Sequence, residues 1–214
     1  MKKVILFQGD SITDCGRNYN DPAEMGKGYP LLVKASLGME EPDKYEFINR
    51  GISGNRIVDV YARIKIDFIN LKPDYASIYI GVNDTWHEIS RKNGVATEKF
   101  ERIYSMLIDE VLEACPDVKL VLIAPFVHEG TATCNTPEIP DRIQRFRSDV
   151  KEKADAVKRL AEKYSLPLID LQDIFDKALE QAPESYWTID GVHPTPCGHE
   201  LIKRDWLDVF EEIK

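Results

Sequence analysis

Apolar positions along the chain fall into two alternating patterns. Short, nearly continuous apolar runs occupy residues 4–7, 45–49, 75–80, 120–124 and 166–169, bounded by Gly, Pro, Asn or Asp. Runs of this length with such boundaries read as buried strands. Between them lie longer stretches with helical patterning, over residues 28–37, 57–71, 97–114, 140–164 and 195–212. In the second of these, Ile57, Val58, Tyr61, Ala62, Ile64, Phe68 and Ile69 form one stripe, which assigns it to the core rather than to a site. Apolar strands that alternate with helices belong to a parallel sheet. Joined by right-handed crossovers, they predict an α/β fold, a three-layer α/β/α sandwich around a central, mainly parallel five-stranded sheet.

No internal repeat, low-complexity tract or linker-like run divides the chain, so one domain over residues 1–214 is expected. A domain of that size buries roughly 70% of the surface of its unfolded chain and needs no disulfide or metal to be stable. The longest irregular stretch, residues 128–139, follows the fourth strand and is mostly polar. With 43% hydrophobic and 30% charged residues, the chain is neither disordered, collagen-like nor membrane-embedded in composition.

Charge removes further classes. The net charge is −9, and the most basic stretch, Lys151 to Arg159, is interleaved with Glu152 and Asp155, so no nucleic-acid partner is expected. No stretch approaches the roughly 20 apolar residues that span a bilayer. The first apolar run, Val4 to Phe7, is shorter than the about 7 residues of a secretory signal, so it reads as a first strand that is retained. Cys15, Cys115, Cys134 and Cys197 show no CxxC pair or metal-ligand spacing and are expected as free thiols in a cytoplasmic protein.

In open α/β sheets, ligands bind at the carboxyl ends of the strands. The first strand runs into Gln8-Gly9-Asp10-Ser11-Ile12-Thr13-Asp14, a glycine turn that presents a serine. Taken alone, Ser11 is better read as a helix N-cap. The spacing of Gly9 and Gly16 fits neither phosphate-binding loop. Near the other end, Asp190-Gly191-Val192-His193-Pro194 places an acid and an imidazole three residues apart. The carboxylate can then hold one ring nitrogen while the other faces outward, which is what activating a serine requires. Taken alone, the histidine is a loop residue and the aspartate a cap or turn residue. Arg50-Gly51-Ile52-Ser53-Gly54-Asn55 and Gly81-Val82-Asn83-Asp84 follow two further strands. They offer a glycine N–H and an asparagine amide as donors to a developing oxyanion, although each by itself is an ordinary glycine turn.

Together these four blocks resemble the SGNH or GDSL hydrolases, serine esterases with a flavodoxin-like α/β/α fold. All four occur in order between positions 9 and 194, with Ile12 where many members have Leu. The resemblance implies that Ser11 is the nucleophile, His193 the general base and Asp190 its orienter. It implies an oxyanion hole formed by Gly54, Asn83 and the backbone N–H of Ser11. No metal or organic cofactor is implied, in keeping with the absence of a Cys/His ligand cluster. The longer strings from Gly9 to Arg17, Gly28-Tyr29 and Asn83-Asp84-Thr85-Trp86 are similar to a bacterial branch of acetyl xylan esterases and carbohydrate deacetylases. That similarity implies acetyl esters of a sugar or oligosaccharide as substrates.

The alternatives on the same fold are a lysophospholipase, a thioesterase, a peptidoglycan O-acetyl esterase or a non-catalytic carbohydrate-binding protein. A polar segment at residues 128–139, where a lipase would carry an apolar lid, favours a small polar substrate without membrane contact. Trp86 and Trp187 could stack on sugar rings or pack locally, with equal weight. Asp10, Asp14 and Asp84 are expected to hold turns, and His87 and His128 to lie at the surface or the mouth of the site.

Overall fold

The computed structural model describes residues 2–214. It begins with β1 (Lys3–Gly9), a single helical turn α1 (Ser11–Asp14) and α2 (Tyr29–Glu40). β2 (Tyr45–Asn49) is followed by α3 (Ile57–Ala62), α4 (Ile64–Asp67) and a 3-10 turn at Ile69–Leu71. β3 (Tyr75–Tyr79) leads to α5 (Val82–Arg91) and α6 (Thr97–Ala114), and β4 (Lys119–Ala124) to α7 (Arg142–Tyr164). β5 (Leu168–Asp170) is followed by α8 (Leu171–Ala178), α9 (Glu184–Trp187) and α10 (Pro196–Ile213).

All five strands are parallel, in the order β2-β1-β3-β4-β5. This is the α/β/α arrangement that the alternating patterns predict. Successive strand residues face opposite layers. Ile5 and Phe7 join the layer that includes α2 and α10, while Leu6 joins the layer built on α3 and α6. Phe7 meets Tyr29 edge-on at 5.7 Å and Trp206 at 5.3 Å, which ties both helices to the central strand. Burying a side chain of this size contributes roughly 1.5–3 kcal/mol relative to leaving it in water.

Several boundaries differ from the sequence reading for local reasons. β1 continues through Gln8 and Gly9, which pair with Ile78 and Tyr79, because the buried Gln8 amide is satisfied by Asp67 O and Gly9 N. β5 begins at Leu168 rather than 166, since Pro167 has no N–H to donate, although its carbonyl accepts from Leu122 N at 3.0 Å. The helix expected over 57–71 is broken at Arg63. There the guanidinium reaches Asn55 Oδ1, Arg50 O, Gly9 O and Asp67, holding together the loops after β1 and β2.

Chain order leaves β1 toward β2 on one side and returns to β3 on the other. That reversal opens a crevice at the carboxyl ends of β1, β2 and β3, the usual ligand position in such sheets.

Candidate active site

Ser11 opens α1 directly after β1, with Asp10 capping the turn through Oδ1, which accepts from Ile12 N at 3.1 Å. Ser11 Oγ lies 2.9 Å from His193 Nε2. The other ring nitrogen, Nδ1, donates to Asp190 Oδ2 at 2.7 Å. Asp190 Oδ1 accepts from the backbone N–H of Val192 at 3.0 Å and of His193 at 2.8 Å, so the acid also fixes the loop that carries the imidazole. That loop is braced from outside by the segment after β4. His128 N donates to Gly191 O at 2.8 Å and Ala132 N to Asp190 O at 3.1 Å. Residues 128–139 therefore include the brace for the Asp190 loop.

The loop after β2 is tied to α1 by Asp14. Its carboxylate accepts from Ser53 N (2.9 Å), Ser53 Oγ (2.7 Å), Arg17 N (3.1 Å) and Tyr19 Oη. The two backbones touch here: a Cβ on Gly51 would lie 2.3 Å from Asp14 N, so no larger residue fits. Gly54 is under no such crowding, but its φ of +82° lies in the left-handed region that favours glycine. Asn83 sits in the first turn of α5, 7% exposed, and its Nδ2 donates to Asn55 O at 3.2 Å. An amide nitrogen carries two N–H donors, so one remains for another acceptor.

These residues enclose a cleft of about 360 Å³. Ser11, Ser53, Gly54, Asn83 and His193 surround one end of it, and Trp86, His87, Ser90 and Arg91 line it along α5. The Trp86 ring lies 6.0 Å from the His193 ring and packs edge-on against Phe146. Trp187, the other tryptophan singled out in the sequence, does not line the cleft. It is 7% exposed in the core, with Nε1 donating to Ala182 O and its ring against Tyr186. His87 lines the cleft, whereas His128 is buried against Phe126 and Phe175 and bonded to Asp176. A separate cleft of about 540 Å³, lined by residues of α7 and α8 among others, is not lined by Ser11, Asp190 or His193.

Electrostatics favour proton transfer at Nε2. The Asp190 hydrogen bond raises the His193 pKa above its usual value, outweighing the burial that would lower it. Burial pushes the Asp190 carboxyl up, but the hydrogen bonds from the His193 ring and the backbone prevail and hold it below the usual carboxylate range. The outcome is an anion on one side of the ring and a basic nitrogen on the side of Ser11.

Sequence reasoning did not find His199, the buried partner of this region. Tyr29 N donates to its Nδ1 at 3.1 Å, which places the neutral ring's proton on Nε2, 3.4 Å from Cys15 Sγ. Burial lowers its pKa to about 4, so the ring is neutral and joins the end of α1 to the start of α2. Its only sequence signal is the buried-face spacing of α10. Among the described residues, no group of three or more His, Cys, Asp or Glu is placed to hold a metal ion. No helix among them is long and apolar enough to cross a membrane.

Similar proteins place the chain in a family. The model of the GDSL-like lipase/acylhydrolase family matches residues 7–201. The chain is 32% identical over 213 residues to an acetylxylan esterase of Geobacillus stearothermophilus, covering 95% of this chain and 91% of that one. A solved GDSL-like lipase of Parabacteroides merdae superposes with a TM-score of 0.87 at 33% identity, over 100% of this chain and 98% of that one. A solved variant of the Geobacillus esterase gives 0.82 at 31%, over 97% and 94%. The chain belongs to the GDSL-like lipase/acylhydrolase family and is a carboxylic ester hydrolase.

Proposed function

We propose that the chain is a serine esterase that removes short acyl groups, acetyl above all, from carbohydrates. The observation that carries this reading is the hydrogen-bonded line from Asp190 through His193 to Ser11, at 2.7 and 2.9 Å. Asp190 keeps the proton of the neutral ring on Nδ1, so the Nε2 lone pair can take the Ser11 proton as Oγ attacks the ester carbonyl. The carbonyl oxygen becomes an oxyanion held by the N–H groups of Ser11 and Gly54 and by Asn83 Nδ2. His193 then returns the proton to the departing alcohol as its C–O bond breaks, leaving an acyl group on Ser11. Water repeats the cycle with the same groups, releasing the acid and restoring the serine. The scheme calls for no metal or cofactor.

Solved variants of the similar Geobacillus acetylxylan esterase support the triad. Those described as catalytic mutants replace a serine, an aspartate and a histidine, the last two spaced as Asp190 and His193 are. A modest cleft with Trp86 on its wall, and a polar brace where a lipase would have an apolar lid, support a short acyl group on a sugar. The test is a p-nitrophenyl ester series from acetyl to octanoyl, run beside acetylated xylo-oligosaccharides. Acetate should be released fastest, and Ser11→Ala should abolish turnover without loss of fold. Retained activity in that variant would remove the nucleophile, and a preference for octanoyl would replace the carbohydrate reading by a lysophospholipase or lipase one.

A further inference from the structure

One side of α5 forms a wall of the cleft. Asn83, Trp86, His87, Ser90 and Arg91 face it at the i, i+3, i+4, i+7 and i+8 spacing of a single helix face. Glu88 and Lys92, off that face, line a different depression. With a rise of 1.5 Å per residue, Arg91 stands about 12 Å along the helix from Asn83. An acetyl group held at the Asn83 end is too short to reach it. Whatever meets Arg91 belongs to the alcohol part of the ester, a sugar ring or its substituent.

Charge says which substituent. Arg91 is the one permanently charged side chain lining the cleft, and no carboxylate lines it, in a chain whose net charge is −9. Nearby Arg56 is already committed, to Asp59 at 2.9 Å and to Asn93 O at 2.7 Å. Arg91 has no ion pair among the described residues, and it is exposed. Its field reaches inward: the His87 pKa is lowered by burial first and then by Arg56 and Arg91, which keeps that imidazole a neutral hydrogen-bonding group. A guanidinium on a cleft wall, without an internal partner, has the fork geometry that takes a carboxylate through two parallel hydrogen bonds.

We infer that the cleft selects acetylated sugars that carry a carboxylate, as a uronic acid does, with Arg91 holding that group along α5 from the scissile ester. The inference rests on the carbohydrate-esterase reading above. The competing explanation is that Arg91, in the last turn of α5, only complements the helix dipole. That role would give no discrimination between substrates.

The experiment compares kcat/KM for acetate release from an acetylated neutral xylo-oligosaccharide and from the same oligosaccharide bearing a uronic acid branch. The wild type should prefer the acidic substrate by about three- to fivefold at low ionic strength, the range of a partly exposed ion pair. The preference should shrink at about 1 M salt, where screening acts within about 3 Å. Arg91→Gln should bring the ratio of the two substrates to about one, Arg91→Lys should restore part of it, and Arg91→Glu should invert it. An equal rate on both substrates in the wild type, or a preference that survives Arg91→Gln, overturns the inference and leaves the esterase reading standing. No acetate release from either sugar, with p-nitrophenyl acetate still hydrolysed, removes the carbohydrate reading and this inference with it.

Discussion

Replacing Asn83 by alanine separates catalysis from folding, because one N–H of its amide is bonded within the fold and the other is the one proposed for catalysis. One N–H is bonded to Asn55 O at 3.2 Å, a long neutral contact between the loop after β2 and the start of α5. Such a bond contributes about 0.5–1.5 kcal/mol net. In a chain of 214 residues a loss of about 1 kcal/mol lowers Tm by roughly 2–4 °C. The other N–H is proposed to meet the oxyanion, and losing one such donor costs about 100- to 1000-fold in kcat, or about 2.7–4 kcal/mol. KM should hardly move, since the bond strengthens only as charge develops on the carbonyl oxygen. Asn83→Asp should be worse than alanine, because it sets a carboxylate beside the developing negative charge. The assay is kcat and KM on p-nitrophenyl acetate with Tm measured on the same preparations. A variant that loses several degrees of Tm but keeps kcat within about tenfold of wild type would show that Asn83 only closes the loop, and the argument would fail.

Asp190→Asn keeps an oxygen for the Val192 and His193 N–H groups but offers Nδ1 a donor, which favours the wrong ring tautomer. It should lose about ten-thousandfold in kcat with little change in Tm, and a loss below about a hundredfold would contradict the orienting role. In the wild type, kcat/KM should rise with pH through the raised His193 pKa, which lies above the usual 6.5, and removing the Asp190 charge should move that limb to lower pH in any residual activity. Burial pushes the Asp10 carboxyl up to about 7, above its unfolded value, so the folded form binds more protons and stability falls as pH rises toward 7. Asp10→Asn, which keeps the acceptor for Ile12 N, should flatten the decline of Tm between pH 5 and about 8, and an unchanged slope in a Tm series would refute the assignment.

The sequence carried the sheet because its central strands are buried on both faces as continuous apolar runs, and the edge strand β2 still buries Tyr45, Phe47 and Asn49. β2 occupies the expected residues without change. What escaped was polar and buried. α5 reads as a turn after Gly81, since its first turn carries Asn83, Asp84 and Thr85, all buried against the adjoining loops, whereas a sequence pattern assigns polar residues to the outside. α8 follows β5 with no intervening residue, so no turn signal marks where strand becomes helix. At the site, the four motif blocks sufficed to bring Ser11, Gly54, Asn83, Asp190 and His193 into one reading, because each lies at a strand end or in a loop and the parallel topology gathers such ends. His199 stayed hidden because its role depends on contacts with Cys15 and Tyr29, more than 160 positions away in the chain. Trp187, three residues before Asp190, is open in the sequence between stacking on a sugar and local packing, and α9 turns its ring toward the core.

The four aspartates around the site show how donor count rather than sequence decides charge. Asp14 is buried and Asp190 half-buried, yet hydrogen bonds from several N–H and O–H groups outweigh burial and keep both carboxyls below the usual range. Asp10 and Asp84 are fully buried and served by fewer donors. Asp10 Oδ2 has no hydrogen-bond partner among the described residues, and both oxygens of Asp84 share the single N–H of Ile57. Burial therefore wins, pushing Asp10 to about 7 and Asp84 to about 8. The distribution has a chemical logic. A carboxylate about 6 Å from a developing oxyanion, at an effective dielectric near 20, would oppose it by ~3 kcal/mol, comparable with what one oxyanion donor contributes. Asp10 immediately precedes the proposed nucleophile and its charge is felt at His193, so its ionisation would set a negative charge behind that site. Leaving it short of donors raises its pKa and reduces that opposition at neutral pH. Asp190, which must be an anion to hold the His193 proton on Nδ1, receives the donors instead. The same residue type thus serves as a partly neutral cap behind the serine and as an ionised partner of the histidine, and the difference is set by burial at Asp10 against the hydrogen bonds that Asp190 receives, from the His193 ring first and then from backbone N–H groups.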